Sequence, residues 1–429
     1  MQLIRAAMAR PRPSPPALAW LAALAAVVAH VAAPRPARAQ VAAFDTSHSV
    51  FYEAPTRTHM LVYSPSADVQ ASPWSWLDVR AGWEADVVSG ASVKVKAGSA
   101  YGAIHGPDVV TTASVRDVRN LARGEVTVKG DATSLTAGYA YGVEHDYRSH
   151  SLHVGARSDA FQHNTQFQLS YSHNFDSVCD RAQSTSASGP TQWTALESSQ
   201  DCFTSAAGRT THPIAIDAFE VSWGQSWTPV LVTQLTYTAE LIDGFQSDPY
   251  RSVILGEGVV AQEHEPNDRA RESLTARVAW YWRAIRGALR LAVRGYRDTW
   301  AVDSGAVEVE AEKSLGEAVR VLVRSRVYRQ TGAVFWSDDY TGGKPPSGPK
   351  GQYWTADREL SPFTSWLVGF RVVAALTPPG KRWLGIIEQV KLAGSAHVSG
   401  YAYDEYTLGG IPVTNARAYV GTLSVDVAF

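Results

Sequence analysis

Apolar and polar residues alternate with a period of two along most of this chain. Between residues 77 and 87, Leu77, Val79, Ala81, Trp83, Ala85 and Val87 are apolar, and Asp78, Arg80, Gly82, Glu84 and Asp86 separate them. Successive side chains of a β-strand point to opposite faces, so this segment has one apolar face and one charged or small face. In 133–143, Leu135, Ala137, Tyr139, Tyr141 and Val143 alternate with serine, threonine, glycine and alanine. The pattern returns in 166–172, 219–224, 231–241 and 274–282. Over its whole length the chain predicts sixteen strands, near 47–54, 59–70, 76–88, 120–129, 132–145, 149–160, 164–176, 214–227, 230–243, 271–283, 287–298, 305–313, 317–330, 362–376, 383–394 and 417–429. Without the first and the one near 120, the count is fourteen.

A soluble sandwich also alternates, but its strands average about five or six residues. These segments run to about ten or more, the length that crosses a bilayer at the tilt of a barrel strand. Connections are short at Thr228-Pro229, Arg283 to Gly287, Lys313 to Gly316 and Thr377 to Lys381. They are long and polar at 177–213, 244–270, 299–304, 330–361 and 395–416, so that short and long are expected to alternate strictly. Short periplasmic turns and longer outer loops are the asymmetry of an outer-membrane barrel. The expected fold is all-β: a transmembrane antiparallel up-and-down barrel, apolar face to lipid, polar face to a lumen, both termini at the short-turn end.

Composition narrows the class further. The chain has 429 residues, 45% of them hydrophobic and 19% charged, with only two cysteines. That excludes a disordered, collagen-like or disulfide-scaffold protein. A formal charge of −2 leaves no nucleic-acid footprint. Residues 1–39 hold Arg5, Arg10, Arg12, Arg35 and Arg38 and no acid, then an apolar run from Ala17 to Ala33 and the small-x-small site Ala37-Arg38-Ala39. This is the pattern of a secretory signal peptide. Its removal takes five of 39 basic residues and none of 41 acidic ones, leaving a charge of −7. No later stretch approaches the roughly 18 apolar residues of a membrane helix, so an exported chain of this kind is soluble or spans as strands. Residues 40–429 are expected to form a single barrel domain in the outer membrane of a Gram-negative bacterium.

Both ends of the strands carry signals. The chain stops at Phe429, with Leu423, Val425 and Val427 on one face. A terminal aromatic on an alternating last strand resembles the signal read by the barrel-assembly machinery. Trp74, Trp76, Trp227, Trp282 and Trp383 lie beside the expected short turns, as an interfacial aromatic girdle would.

The face expected to line the lumen is charged on three consecutive strands. Arg290 and Arg294 lie on one, Glu308, Glu310 and Glu312 on the next, and Arg320 and Arg324 on the third, with Arg326 near its outer end. Toward lipid each charge would cost about 2–4 kcal/mol near the midplane. Toward the lumen they can pair as Arg–Glu–Arg, either holding the wall or screening what passes. Cys179 and Cys202 share one outer loop and are expected to close it with a disulfide.

Searches for catalytic motifs return little. Gly342-Gly343-Lys344 lacks the spacing and hydroxyl of a phosphate-binding loop, and neither a G-x-S-x-G elbow nor a His-Glu-x-x-His motif occurs. His145, His150 and His153 cluster near Glu144 and Asp146 without a recognised metal-ligand spacing. No catalytic residue, cofactor or metal is assigned.

Several polar stretches carry a family resemblance. They are Asp86-Val87-Val88-Ser89-Gly90-Ala91-Ser92, Glu144-His145-Asp146-Tyr147-Arg148-Ser149, Ser247-Asp248-Pro249-Tyr250-Arg251, Glu265-Pro266-Asn267-Asp268-Arg269-Ala270-Arg271, Tyr296-Arg297-Asp298-Thr299-Trp300 and Asp357-Arg358-Glu359-Leu360-Ser361. In order and across nearly the whole chain, they resemble an outer-membrane barrel family known as domain of unknown function 3570. The resemblance implies a barrel without an established activity. Its members often accompany flavin-attachment and thioredoxin-like proteins, which implies a periplasmic redox protein as a partner.

The matching residues sit at or beyond the outer strand ends, where Arg–Asp pairs can lock loops over the mouth or line a ligand vestibule. Three functions follow as expectations. The first is a porin-like channel for small solutes, or a structural barrel. The second is a sheath for an extracytoplasmic redox system, and the third a hydrolase acting at the rim.

Overall fold

The computed structural model describes residues 41–54, 60–90, 93–94, 110–111, 115–181, 202–203, 209–248, 252–255, 259–338, 340, 352–378, 380–408 and 411–429. The expected leader, residues 1–39, and the motif residues Tyr250 and Arg251 lie outside them.

Sixteen antiparallel strands close into one barrel. They are β1 (Val41–Ala54), β2 (Met60–Trp74), β3 (Leu77–Gly90), β4 (Val115–Lys129), β5 (Thr133–Val143), β6 (Tyr147–Ala160), β7 (Thr165–Arg181) and β8 (Arg209–Thr228). Then come β9 (Leu231–Gly244), β10 (Asp268–Trp282), β11 (Gly287–Asp298), β12 (Asp303–Leu315), β13 (Val319–Gln330), β14 (Phe363–Ala375), β15 (Gln389–Tyr403) and β16 (Asn415–Ala428). Each strand pairs with its sequence neighbour, and β16 returns to β1 with Val50 opposite Gly421. Closure leaves no edge strand, so the backbone donors and acceptors of neighbouring strands pair with one another around the whole wall.

The alternation resolves as one apolar exterior and one polar interior. Leu289, Leu291 and Val293 on β11, Val307 and Val309 on β12, and Val323 and Val327 on β13 are all exposed on the outside. Among the described residues, the buried apolar clusters lie at the long-loop end or within the loops, and no packed core fills the barrel. That is the inverse of a soluble domain, in which the large apolar side chains would be the buried ones.

Two belts bound the apolar exterior. At the short-turn end, Trp74 stacks on Trp76 with ring centroids 5.5 Å apart, and Trp280 on Trp282 at 5.1 Å. Trp227, Phe161 and Trp383 are exposed beside them. At the other end the exterior turns polar. Tyr63 and Tyr139 place their hydroxyls 2.7 and 2.6 Å from the Nδ1 atoms of His48 and His150. Tyr171 donates to Asp217 at 2.6 Å, and Arg297 pairs with Glu272 at 3.2 Å. Hydrocarbon does not tolerate such groups, so this belt marks the headgroup level.

Two expectations about connections need correction. The strand expected at 383–394 lies at Gln389–Tyr403, and the connection after it is 404–414 rather than 395–416. The apolar run Trp383-Leu384-Gly385-Ile386-Ile387 is a tight hairpin, closed by the Trp383 N–H donating to Ile387 at 2.9 Å. Leu384 and Gly385 take φ of 54° and 76°, which no strand allows. The true strand was masked by its small residues from Ser395 to Tyr403, whose contrast between faces is weak. Nor do short and long connections alternate strictly. Residues 144–146 and 299–302, at the long-loop end, join their strands as briefly as the turns opposite.

Candidate functional site in the barrel lumen

The charged strip assembles inside the wall. Register sets Arg290 opposite Glu310, and Glu310 opposite Arg324. Arg290 reaches Glu312 at 2.8 Å and Glu310 at 3.6 Å. Arg324 reaches Glu308 at 2.5 Å and Glu310 at 3.8 Å, and Arg320 reaches Glu312 at 3.6 Å. Each glutamate therefore has at least one arginine. On the opposite wall, Arg123 and Arg80 close on Asp68 at 2.8 and 3.2 Å, and Lys129 on Asp78 at 2.6 Å.

Arg294 and Arg326 stand outside this network. Each lies beside a tyrosine ring: Arg294 is 6.0 Å from the Tyr296 ring centroid and Arg326 5.4 Å from that of Tyr328. The spacing of the sequence placed Arg294 in the ladder, and the geometry removes it. Its cross-strand neighbours are Thr275 and Ala306, one step beyond the last glutamate.

Above the strip, the matching polar motifs act as locks. Arg269 clamps Asp298, with its Nε 2.9 Å from Oδ2, and stacks over Trp300 at 4.0 Å. Asp298 also accepts from the Tyr296 hydroxyl at 2.8 Å and from the Val302 N–H at 2.9 Å. Trp300 donates to the Asp268 carbonyl at 3.1 Å. Arg119 joins Asp86 at 4.0 Å to Glu144 at 3.6 Å, and Ser64 donates to Asp86 at 2.5 Å. Tyr147 donates to Asp176. Ser89 is paired in β3 opposite Arg116, and Asp248 offers its carbonyl to Gln262 at 3.4 Å.

The disulfide joins Cys179 to Cys202, both buried. The Cys202 N–H donates to the His145 carbonyl at 2.8 Å and the Cys179 N–H to that of Asp146 at 2.7 Å, so the bridge pins its loop to the 144–146 turn. Exchanging both cysteines for serine is expected to leave the barrel folded, judged by its heat-modifiable migration, while limited proteolysis cuts between 179 and 202 much faster. Unchanged cleavage would contradict the pinning. The nearby histidines do not converge: His150 faces Tyr139 outside, and His153 lines a recess in the lumen.

The connection between β13 and β14 is a strap across the mouth. Glu53 on β1 receives both Arg358 nitrogens, with Nη2 2.7 Å from Oε2. This carboxylate holds the Arg358 proton more firmly than usual. Asp357 caps the short turn that aims Arg358, accepting from the Glu359 N–H at 2.9 Å. On its other side the strap pairs with the β9–β10 loop, through reciprocal 2.9 Å backbone bonds between His264 and Trp354. Gln262 of that loop donates onward to Asp180 of β7 at 2.9 Å. In a ring of sixteen, β1 and the β9–β10 connection are nearly opposite, so the strap and this loop together span the opening.

The strap shares a small core with the neighbouring outer connections. Trp300, Phe335, Trp336, Leu360 and Tyr406 are buried together. Tyr340 donates to the carbonyls of Phe335 and Thr355 at 2.6 and 2.8 Å, and burial pushes its hydroxyl up from the ordinary value. Sequence reasoning missed Glu53 and Arg119 as lock partners. Nothing local marks them, because Glu53 meets a residue 305 positions away.

Two recesses open from the lumen, the smaller of them beneath the strap. One of about 490 Å³ is bordered by His153, Glu220, Arg271, Ser273, Arg294 and Tyr296. The other, of about 270 Å³, is bordered by Arg294, Arg326, Tyr328 and Gln330 and roofed by Glu359 and Leu360. Among the described residues, no group of three or more histidines, cysteines or carboxylates is placed to hold a metal ion.

The family model described as "Protein of unknown function (DUF3570)" matches residues 17–388. The chain belongs to this family. The match takes in all six polar stretches and ends just before β15 begins. No curated protein matches the sequence. Among solved structures, a bacterial polysaccharide outer membrane secretin is similar at 9% identity and TM-score 0.46, covering 90% of this chain and 97% of its own. OccK2 (OpdF) of Pseudomonas aeruginosa gives 8% identity and TM-score 0.41 over 91% of this chain and 98% of that one. The outer membrane protein opdK of Pseudomonas aeruginosa gives 7% and 0.41 over 91% and 99%. At these identities the likeness is one of barrel architecture.

Proposed function

We propose that this protein is an outer-membrane channel for small hydrophilic solutes, narrowed at its mouth by the strap between β13 and β14. The observation that supports this reading is the interior itself. A sixteen-stranded barrel is wide enough for water. Here the wall is lined with ion pairs and hydroxyls, while the apolar clusters are confined to the loop end. A purely structural barrel would gain nothing from recesses of about 490 and 270 Å³ beneath its mouth. On this reading the protein resides in the outer membrane, exported by its leader and inserted by the barrel-assembly machinery through Phe429.

The test is conductance of the purified, folded protein in a planar bilayer. Discrete, voltage-tolerant steps are expected. A heat-modifiable, folded barrel that never conducts would overturn the reading. Glu53→Gln removes the charge that anchors the strap, and severalfold larger or noisier steps are expected from it, with folding unchanged. Steps identical to those of the natural protein would mean that the strap does not narrow the path.

A further inference from the structure

We propose that Arg294 and Arg326 form a binding site for the carboxylate of a small anionic solute, in the lumen directly beneath the strap. The inference deepens the channel reading and depends on it only for its physiological meaning.

The argument begins with a charge imbalance. The inner faces of β11, β12 and β13 carry five arginines, Arg290, Arg294, Arg320, Arg324 and Arg326, against three glutamates, Glu308, Glu310 and Glu312. The ion pairs take up Arg290, Arg320 and Arg324 together with all three glutamates. The two cations left over are the two nearest the mouth.

Nearby carboxylates are already committed. Glu308 lies opposite Arg326 in register, yet it turns to Arg324 at 2.5 Å. Asp298 is held by Arg269, Tyr296 and the Val302 N–H. Neither Arg294 nor Arg326 makes an ion pair among the described residues, and each is flanked by a tyrosine ring instead. Two like charges on one wall repel, and a wall built only to cohere would pair or omit them. An anion between them supplies the missing charge.

The surroundings suit a carboxylate on a small body. Both guanidinium groups line the same recess of about 270 Å³, near the lower end for small-ligand sites. A guanidinium fork matches the two oxygens of a carboxylate. Tyr296 and Tyr328 give flat walls for the attached carbon skeleton, and Glu359 and Leu360 of the strap form the roof. Gln330 is fixed by donating to the strap carbonyls of Glu359 and Ser361 at 2.7 and 2.8 Å, and it accepts from Tyr328 at 2.6 Å. The recess is therefore rigid at its strap side. Arg294 borders the larger recess as well, so the two recesses share this cation.

The experiment uses the full folded protein in detergent, with benzoate as the probe and benzamide as its neutral isostere. Calorimetry is expected to detect benzoate and not benzamide. The double variant Arg294→Gln/Arg326→Gln should lose at least tenfold in benzoate affinity, whereas Arg320→Gln, which breaks a paired arginine, should retain most of it. Heat-modifiable migration verifies that each variant is folded. In bilayers under a KCl gradient, the double variant should shift the reversal potential away from chloride preference. Benzoate bound no more tightly than benzamide, or bound equally by the double variant, would overturn the site even if the channel conducts. Arginine-dependent benzoate binding by a barrel that never conducts would leave the site standing and remove the channel.

Discussion

Replacing Asp298 by alanine is expected to weaken the long-loop end of the barrel by about 3–5 kcal/mol, the range for removing one member of a buried ion pair. The pair with Arg269 is closed to water, with side-chain exposures of 0% for Asp298 and 9% for Arg269. Removing the carboxylate strands a buried guanidinium and frees the Tyr296 hydroxyl and the Val302 N–H at the same time. Trp300 then loses the cation that fixes its ring, and the strap loses the floor on which Phe335 rests at 5.2 Å. Asp298→Asn keeps the shape and part of the hydrogen bonding, so its loss should be intermediate. Urea unfolding in micelles, with proteolysis of the strap as a local readout, measures both. A change below about 1 kcal/mol would show that the lock contributes little.

The second large effect lies on the other side of the wall. Val293→Arg places a charge on the lipid face near the middle of β11 and is expected to cost about 2–4 kcal/mol. Its immediate neighbour provides the control. Ala292 faces the lumen opposite Glu308, so Ala292→Arg should change stability by less than about 1 kcal/mol. Unfolding titrations in vesicles compare the two. Equal costs would mean that the faces have been assigned the wrong way round.

Much of this architecture was legible because a period-two pattern encodes the two faces directly. The strands with strong contrast, such as Gly287–Asp298 with its leucines, valine and arginines, were found to the residue. The strand Gln389–Tyr403 was misplaced because glycine, alanine and serine differ too little in hydrophobicity to mark a face. The site divides along the same line. Cross-strand neighbours such as Arg290 and Glu310 follow from strand order. The pairing of Arg358 with Glu53, and the absence of an ion-pair partner for Arg294 among the described residues, depend on where loops and side chains end in space. No local rule in the sequence reports either.

The Arg358–Glu53 bond ties a late segment of the chain to its first strand. Before β1 zips onto β16, the sheet is an open ribbon whose two margins are far apart, and bringing them together carries the largest loop-closure entropy in the molecule. The strap reaches Glu53 only once the ribbon has curled far enough to bring β1 round to it. Its salt bridge then holds the two margins together across the mouth, and a barrel caught half-built would hold its entrance ajar.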